Sequence, residues 1–235
     1  MPMPPAATAA RPVPAAPAPA AQPWIFPHAA PAERRPPPGP DRPRRPGRPG
    51  PAGRGLPDAV LFDRDGTLVF DVPYNGDPGW VRPVPQARAA LAQLRTLGVP
   101  VGVVSNQSGV ARGVLTRRQV TAVQERVEQL LGPFRVWAVC PHGPDDHCGC
   151  RKPAPGLILA ACGRIGADPA RTVVIGDIGA DVAAAAAAGA RGILVPAPAT
   201  RPEEVDRAGE VAPDLLAAVR LALHLPPAPT PGSAP

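Results

Sequence analysis

A chain of 235 residues with a net charge of +6 and 39 prolines allows one domain plus extra segments, and nineteen of the prolines fall in the first 57 residues. The charge suggests nucleic acid or a membrane surface, but through Arg54 eight arginines face only Glu33 and Asp41, which accounts for all of it and leaves the remainder neutral. A neutral remainder argues against a nucleic-acid-binding domain, and no apolar run is long enough to span a bilayer or to form a signal peptide.

Proline fixes φ and removes a backbone donor, so residues 1–56 read as a disordered Pro/Ala/Arg tail. The tail could still touch anionic partners through a sequence-independent Coulomb attraction. Residues 57–225 read as the folded domain and 226–235 as a short disordered end. Within the domain, Ala59–Phe62 is an apolar run that predicts a buried parallel strand ending at Asp63. Residues 85–97 predict a helix started by Pro85 and ended by Gly98, with Ala87, Ala90, Leu91, Leu94 and Leu97 inward. A strand over Val99–Val104 follows, then a helix capped by Thr116 that runs to Leu131 with Val120, Val123, Val127, Leu130 and Leu131 inward.

Further strands are expected at Phe134–Val139, Thr172–Ile175 and Gly192–Val195, and helices at Pro155–Ile165, Gly179–Ala188 and Pro213–Leu223. This alternation predicts an α/β domain with a parallel central sheet. Ligands of such sheets bind beyond the carboxyl ends of the strands. Asp63, Asp65, Ser105, Asn106 and Asp177 all stand just past a predicted strand end, so segments distant in sequence converge on one edge.

Any one of these aspartates reads as a turn cap when taken alone. Together they suit phosphoryl transfer, which needs a nucleophile, an acid for the leaving oxygen and positive charge around the group in flight. Asp63 and Asp65, two residues apart, can face the same way while Arg64 points away. Gly66 permits a sharp turn that Thr67 can fix, and Asp177 can complete a magnesium site with Asp63 and the Asp65 carbonyl. Lys152 is the only lysine in the chain, and Ser105, Asn106 and Ser108 concentrate scarce residue types in one strand-end loop.

The segments Asp63-Arg64-Asp65-Gly66-Thr67, Ser105-Asn106-Gln107-Ser108-Gly109, Arg151-Lys152-Pro153 and Gly176-Asp177 resemble, in order, the motifs of the haloacid dehalogenase-like (HAD) phosphatases. The subgroup resembled is that of D-glycero-D-manno-heptose 1,7-bisphosphate phosphatase and histidinol-phosphate phosphatase, HAD subfamily IIIA. The resemblance implies a Rossmannoid three-layer sandwich and an aspartyl-phosphate formed on Asp63. It implies that Asp65 acts as acid and then base, that Ser105 and Asn106 donate hydrogen bonds to the phosphoryl oxygens, that Lys152 screens charge and that Asp177 binds magnesium. It also brings Gln107, Ser108 and Arg151 to the substrate, and places Asp71 and Tyr74 against its sugar. One departure is Ile178, where the subgroup commonly has Arg or Lys after the motif aspartate. The second acid of the Gly-Asp-x-x-x-Asp pattern is present as Asp181.

Cys140-Pro141-His142 and Cys148-Gly149-Cys150 place four soft donors immediately before Lys152, a pattern that suits tetrahedral zinc in a closed structural site. A disulfide is the rival pairing. His147 is a spare ligand candidate, and Cys162 falls in a helical pattern as core filling. Residues 68–84 are too few for a folded cap, so an open site is expected. Arg112, four residues past Ser108, could reach a second phosphate or stand solvated.

These readings lead to a magnesium- and zinc-containing, cytoplasmic, monomeric phosphatase of a small phosphorylated metabolite, a heptose bisphosphate before histidinol phosphate. A nucleic-acid 3′-phosphatase and a non-catalytic scaffold acting through its proline-rich tail are the remaining alternatives.

Overall fold

The computed structural model describes residues 22–27 and 55–226. Its sheet has six strands: β1 (Trp24–Pro27), β2 (Ala59–Phe62), β3 (Val101–Asn106), β4 (Val136–Cys140), β5 (Thr172–Gly176) and β6 (Arg191–Leu194), in the order β1-β4-β3-β2-β5-β6. The helices are α1 (Ala87–Thr96), α2 (Arg117–Leu131), α3 (Gly156–Ile165), α4 (Gly179–Ala187), α5 (Pro202–Arg207) and α6 (Leu215–Ala222). Strands β2 to β6 pair in parallel, as expected.

Alternation along β2 divides the interior into two halves. Val60 and Phe62 join α1, α2 and α6 on one face of the sheet, while Leu61 joins α3 and α4 on the other. Helix α2 begins with a reciprocal capping box, in which Thr116 accepts from the Gln119 N–H and Gln119 accepts from the Thr116 N–H. Helices on both faces of one sheet make the three-layer sandwich that the resemblance implies. Connections at the carboxyl edge of the sheet are short, and the 3₁₀ turn Pro78–Trp80 is the only helical element within residues 63–86, so among the described residues no cap domain covers that edge. Among the described residues no helix is long and apolar enough to cross a membrane.

Several expectations need correcting. Residues 24–27 fall within the expected disordered tail, yet they form β1, antiparallel to β4, which makes the sheet mixed rather than wholly parallel. Prolines flank this segment, but Trp24, Ile25 and Phe26 carry enough apolar surface to offset them. Apart from residues 22–27 and 55–56, the predicted tail lies outside the described residues, as does the predicted C-terminal end beyond Pro226. Leu97 was expected inward but is exposed, because the helix ends at Thr96 and Leu97 only caps it. Strands β3 and β4 each begin two residues later than predicted, and α1 and α6 each begin two residues past their prolines. The short helix α5 had no predicted counterpart.

Candidate active site

The carboxyl ends of β2, β3 and β5 do converge. Asp63 follows β2, where its N–H donates to the Ile175 carbonyl at 2.9 Å, so the backbone of the neighbouring strand fixes its place. Asp177 follows β5, and Asp181 lies in the first turn of α4. The carboxylates of Asp63, Asp177 and Asp181 lie within 4.8 Å of one another, and all three residues are buried.

Lys152 reaches into this cluster from the loop before α3. Its Nζ stands 2.5 Å from Asp63 Oδ1 and 2.6 Å from Asp181 Oδ1, and donates to the Val104 carbonyl at 2.8 Å. One ammonium faces three buried carboxylates, so negative charge remains. Burial, outweighing the attraction of Lys152, pushes the Asp63 carboxyl well above its ordinary range. Burial and then the Asp181 charge push Asp177 up to about 7. The Lys152 ammonium is itself held charged by Asp181 and Asp63 against the effect of burial. A cluster of hard oxygen donors carrying excess charge fits a small divalent cation.

The backbone is shaped to this cluster. Gly66 has φ +79°, and a Cβ there would stand 2.2 Å from Asp177 Oδ2. Thr67 Oγ1 donates to Asp177 Oδ1 at 3.3 Å. Asn106 clasps the Lys152 backbone in both directions, its Nδ2 donating to the Lys152 carbonyl and its Oδ1 accepting from the Lys152 N–H, each at 3.1 Å. One amide N–H of Asn106 is therefore committed to placing the lysine rather than to a ligand.

Around the carboxylates opens a cavity of about 330 Å³ whose lining includes Asp65, Asp71, Tyr74, Gln107, Ser108 and Ile178. Asp65 is not part of the carboxylate cluster. Arg64 does not point away as expected: its guanidinium folds back onto the Asp65 carboxylate at 2.7–3.0 Å. Gln107 Nε2 donates to Asp65 Oδ2 and to Ser105 Oγ, both at 2.9 Å, so Ser105 sits beneath Gln107 rather than on the cavity wall. Arg151 likewise does not line the cavity; its guanidinium reaches the His142 carbonyl at 3.4 Å. Burial and the neighbouring Asp65 charge raise the Asp71 carboxyl. Tyr74 takes the left-handed region at φ +51°, and Arg112 both donates to its hydroxyl and lies over its ring at 5.4 Å. Asn75 accepts from the Asp77 N–H at 2.9 Å, ordinary turn chemistry.

The second cluster lies at the end of β4. Cys140, His142, Cys148 and Cys150 hold donor-to-donor separations of 3.3–3.6 Å. A tetrahedral ion with metal–sulfur bonds of ~2.3 Å needs donors about 3.7 Å apart, so the four are spaced to hold one. None of the four cysteines is joined in a disulfide, against the disulfide alternative. Burial raises Cys140 to about 11 and also raises Cys150; it acts on Cys148 too, where hydrogen bonds from the Arg151 backbone, Cys150 and Cys140 together outweigh it and lower the thiol. His147 stands outside this cluster on the surface, and Cys162 is core filling beside Thr172.

The site residue given too little weight in the sequence is Asp181. The signal for it was the spacing of four from Asp177, which returns a side chain to the same face once α4 has begun.

The profile of the HAD-hydrolase-like family matches residues 149–219. D-glycero-β-D-manno-heptose-1,7-bisphosphate 7-phosphatase of Pseudomonas aeruginosa is 34% identical over 142 residues, which cover 58% of this chain and 79% of that protein. The protein of the same name from Mesorhizobium japonicum is 41% identical over 150 residues, covering 58% and 69%. The crystal structure of D,D-heptose 1,7-bisphosphate phosphatase from B. bronchiseptica, complexed with magnesium and phosphate, superposes with a TM-score of 0.64 at 30% identity, over 71% of this chain and 98% of that one. The chain therefore belongs to the HAD-like hydrolases, in the branch of the heptose bisphosphate phosphatases, and is itself a phosphatase.

Proposed function

We propose that the protein is a magnesium-dependent phosphomonoesterase that removes the 7-phosphate of D-glycero-β-D-manno-heptose 1,7-bisphosphate, with Asp63 as its nucleophile. The observation that carries this reading is the contact of Lys152 with both Asp63 and Asp181 beside an open polar cavity. The substrate comes from the names of the relatives, several of them 33–41% identical.

Asp63 attacks phosphorus in line with the ester oxygen, and the P–O ester bond breaks as the Asp63–phosphoryl bond forms. Asp65 gives the leaving oxygen its proton. It then takes a proton from the water that attacks the aspartyl-phosphate, releasing inorganic phosphate and restoring both carboxyls. Lys152 offsets the negative charge that would otherwise keep nucleophile and phosphate apart. Ser108 and the remaining Asn106 amide N–H stand where they can donate to phosphoryl oxygens, and Asp71 and Tyr74 where they can meet the sugar. Asp63, Asp177 and the Asp65 carbonyl would hold magnesium, whose charge would neutralise the transferring group. Cys140, His142, Cys148 and Cys150 would hold zinc, closing the loop that delivers Lys152. We place the phosphatase domain at residues 57–225, acting as a monomer on a soluble metabolite in the cytoplasm, where a Cys₃His site keeps its thiols reduced.

The test is phosphate release with magnesium from the heptose bisphosphate, histidinol phosphate and a panel of sugar monophosphates. Preferential turnover of the bisphosphate, lost in Asp63→Asn, is the expected result. Faster turnover of histidinol phosphate would reassign the substrate, and turnover that Asp63→Asn leaves intact would overturn the mechanism.

A further inference from the structure

The strand β1 stands apart from residues 149–219, which the family profile matches. It pairs antiparallel with β4 in the register Trp24↔Val139, Ile25↔Ala138, Phe26↔Trp137 and Pro27↔Val136. Without it β4 would be the sheet's edge, because β4 has β3 on its other side.

The pairing is anchored on both faces. Trp24 and Phe26 stand edge to face at 6.5 Å, and the Arg117 guanidinium lies over both rings, at 5.0 and 5.2 Å. On that face they pack against Leu115, Val120 and Val139. Ile25 points the other way, into the core half that contains α3. An apolar side chain on each face, with prolines at positions 23 and 27, suits a short strand that completes an edge and resists extension.

The same contacts lead to the active site. Leu115 closes the loop after β3, where its N–H donates to the Gly109 carbonyl at 3.0 Å. Leu115 and Tyr74 both press on Gly109, and a Cβ at that glycine would stand 2.8 Å from each of them. Gly109 and Tyr74 line the cavity. A continuous series of packed groups thus joins Trp24 and Phe26, through Leu115, to the wall where substrate enters.

We propose that Trp24–Pro27 is an intramolecular strand addition that braces the Gly109–Leu115 loop, and through it one wall of the phosphatase cavity. Its binding surface is the β4 edge with Leu115, Val120 and Arg117, and its occupant is the chain's own segment. Twenty-seven residues separate Pro27 from Gly55, a length that reaches at most about 90 Å and could also serve a second copy.

The experiment uses the full chain carrying Trp24→Ala and Phe26→Ala together. Amide hydrogen exchange at Val136–Cys140 and Val110–Leu115 is expected to rise by about tenfold or more while β2 and β5 stay protected. With the best phosphate ester of the panel, KM should rise about threefold or more at nearly constant kcat, the mark of a binding wall loosened rather than chemistry lost. Unchanged exchange in both segments overturns the proposal. So does protection of the β4 edge in the unaltered protein that disappears on dilution, which would make the occupant a second copy. Should the double variant also lose protection in β2 and β5, Arg117→Ala, which removes only the stacked guanidinium, decides by the same exchange readings. The exchange result does not depend on which ester is the substrate, so it stands apart from the functional proposal.

Discussion

Gly66 lies against Asp177 so closely that a methyl group on residue 66 would stand 2.2 Å from the carboxylate oxygen Oδ2. The motif glycine is thus required twice, by its φ of +79° and by the carboxylate it faces. Gly66→Ala should cost about 2 kcal/mol of stability or more, from a left-handed backbone plus displacement of a buried group. Magnesium-dependent phosphatase activity should fall further than that loss explains, because Asp177 is the group that must move. Denaturant melts and kcat on one preparation check both.

Lys152→Arg preserves charge but not shape. The ammonium fits within 2.5–2.8 Å of three oxygens from different strands and a helix. A planar guanidinium cannot occupy that point. The expected loss in kcat is about 10²–10³-fold, comparable to removing a preorganised donor from a transition state. Rates close to those of the unaltered enzyme would show that charge alone is enough.

Asn106→Ala removes the clasp on the Lys152 backbone while leaving every titrating group in place. The lysine is then positioned less well, and kcat should fall by about tenfold or more through misplacement. Asn106→Asp should recover little, because a carboxylate cannot donate to the Lys152 carbonyl. Steady-state kinetics of the two variants make the comparison.

In magnesium-free buffer, stability should rise as pH falls from about 8 toward 5. The reason is the Asp177 carboxyl, raised to about 7 by burial and the Asp181 charge. A carboxyl raised on folding binds a proton that the unfolded chain releases. Its contribution is therefore complete below the unfolded value near 4 and is lost as pH climbs through about 7. Excess magnesium, which captures the ionised form, should flatten this dependence and raise Tm most at the alkaline end. Thermal melts across the pH series with and without magnesium provide the reading.

Removing one thiol from the second cluster should act at a distance. Cys148→Ser leaves Cys140, His142 and Cys150 with an incomplete tetrahedron. Bound metal, measured by elemental analysis, should fall, and Tm should fall with it because metal affinity is coupled to folding. Activity should drop through the loop that carries Lys152 rather than through the carboxylates.

Sequence periodicity carried most of the architecture. Five of the six strands and every helix but the short α5 follow from apolar patterning, because a parallel strand buried on both faces leaves an unmistakable run, as at those leading to Asp63, Asn106 and Asp177. The strand at Trp24–Pro27 is hidden by the prolines around it, and its one local signal is three consecutive large apolar residues. At the site, Asp63, Lys152 and Asp177 were legible from motif order. The engagement of Arg64 with Asp65 was not, nor was the retreat of Ser105 and Arg151 from the cavity wall. Those outcomes depend on which hydrogen bond wins among neighbours, and spacing along the chain does not rank them.

The isolated lysine has a practical side. With 24 arginines and a single ε-amine, the chain offers amine-reactive reagents one side chain, and that side chain is buried against two carboxylates. Side-chain acylation is therefore confined to Lys152: label appears there only as its ion pairs open, and under the proposed mechanism loss of activity should advance one for one with label at Lys152. A protease that cuts on the amino side of lysine likewise has a single bond to cut, Arg151–Lys152, so intact and nicked chains report on whether that loop has come away from the carboxylates.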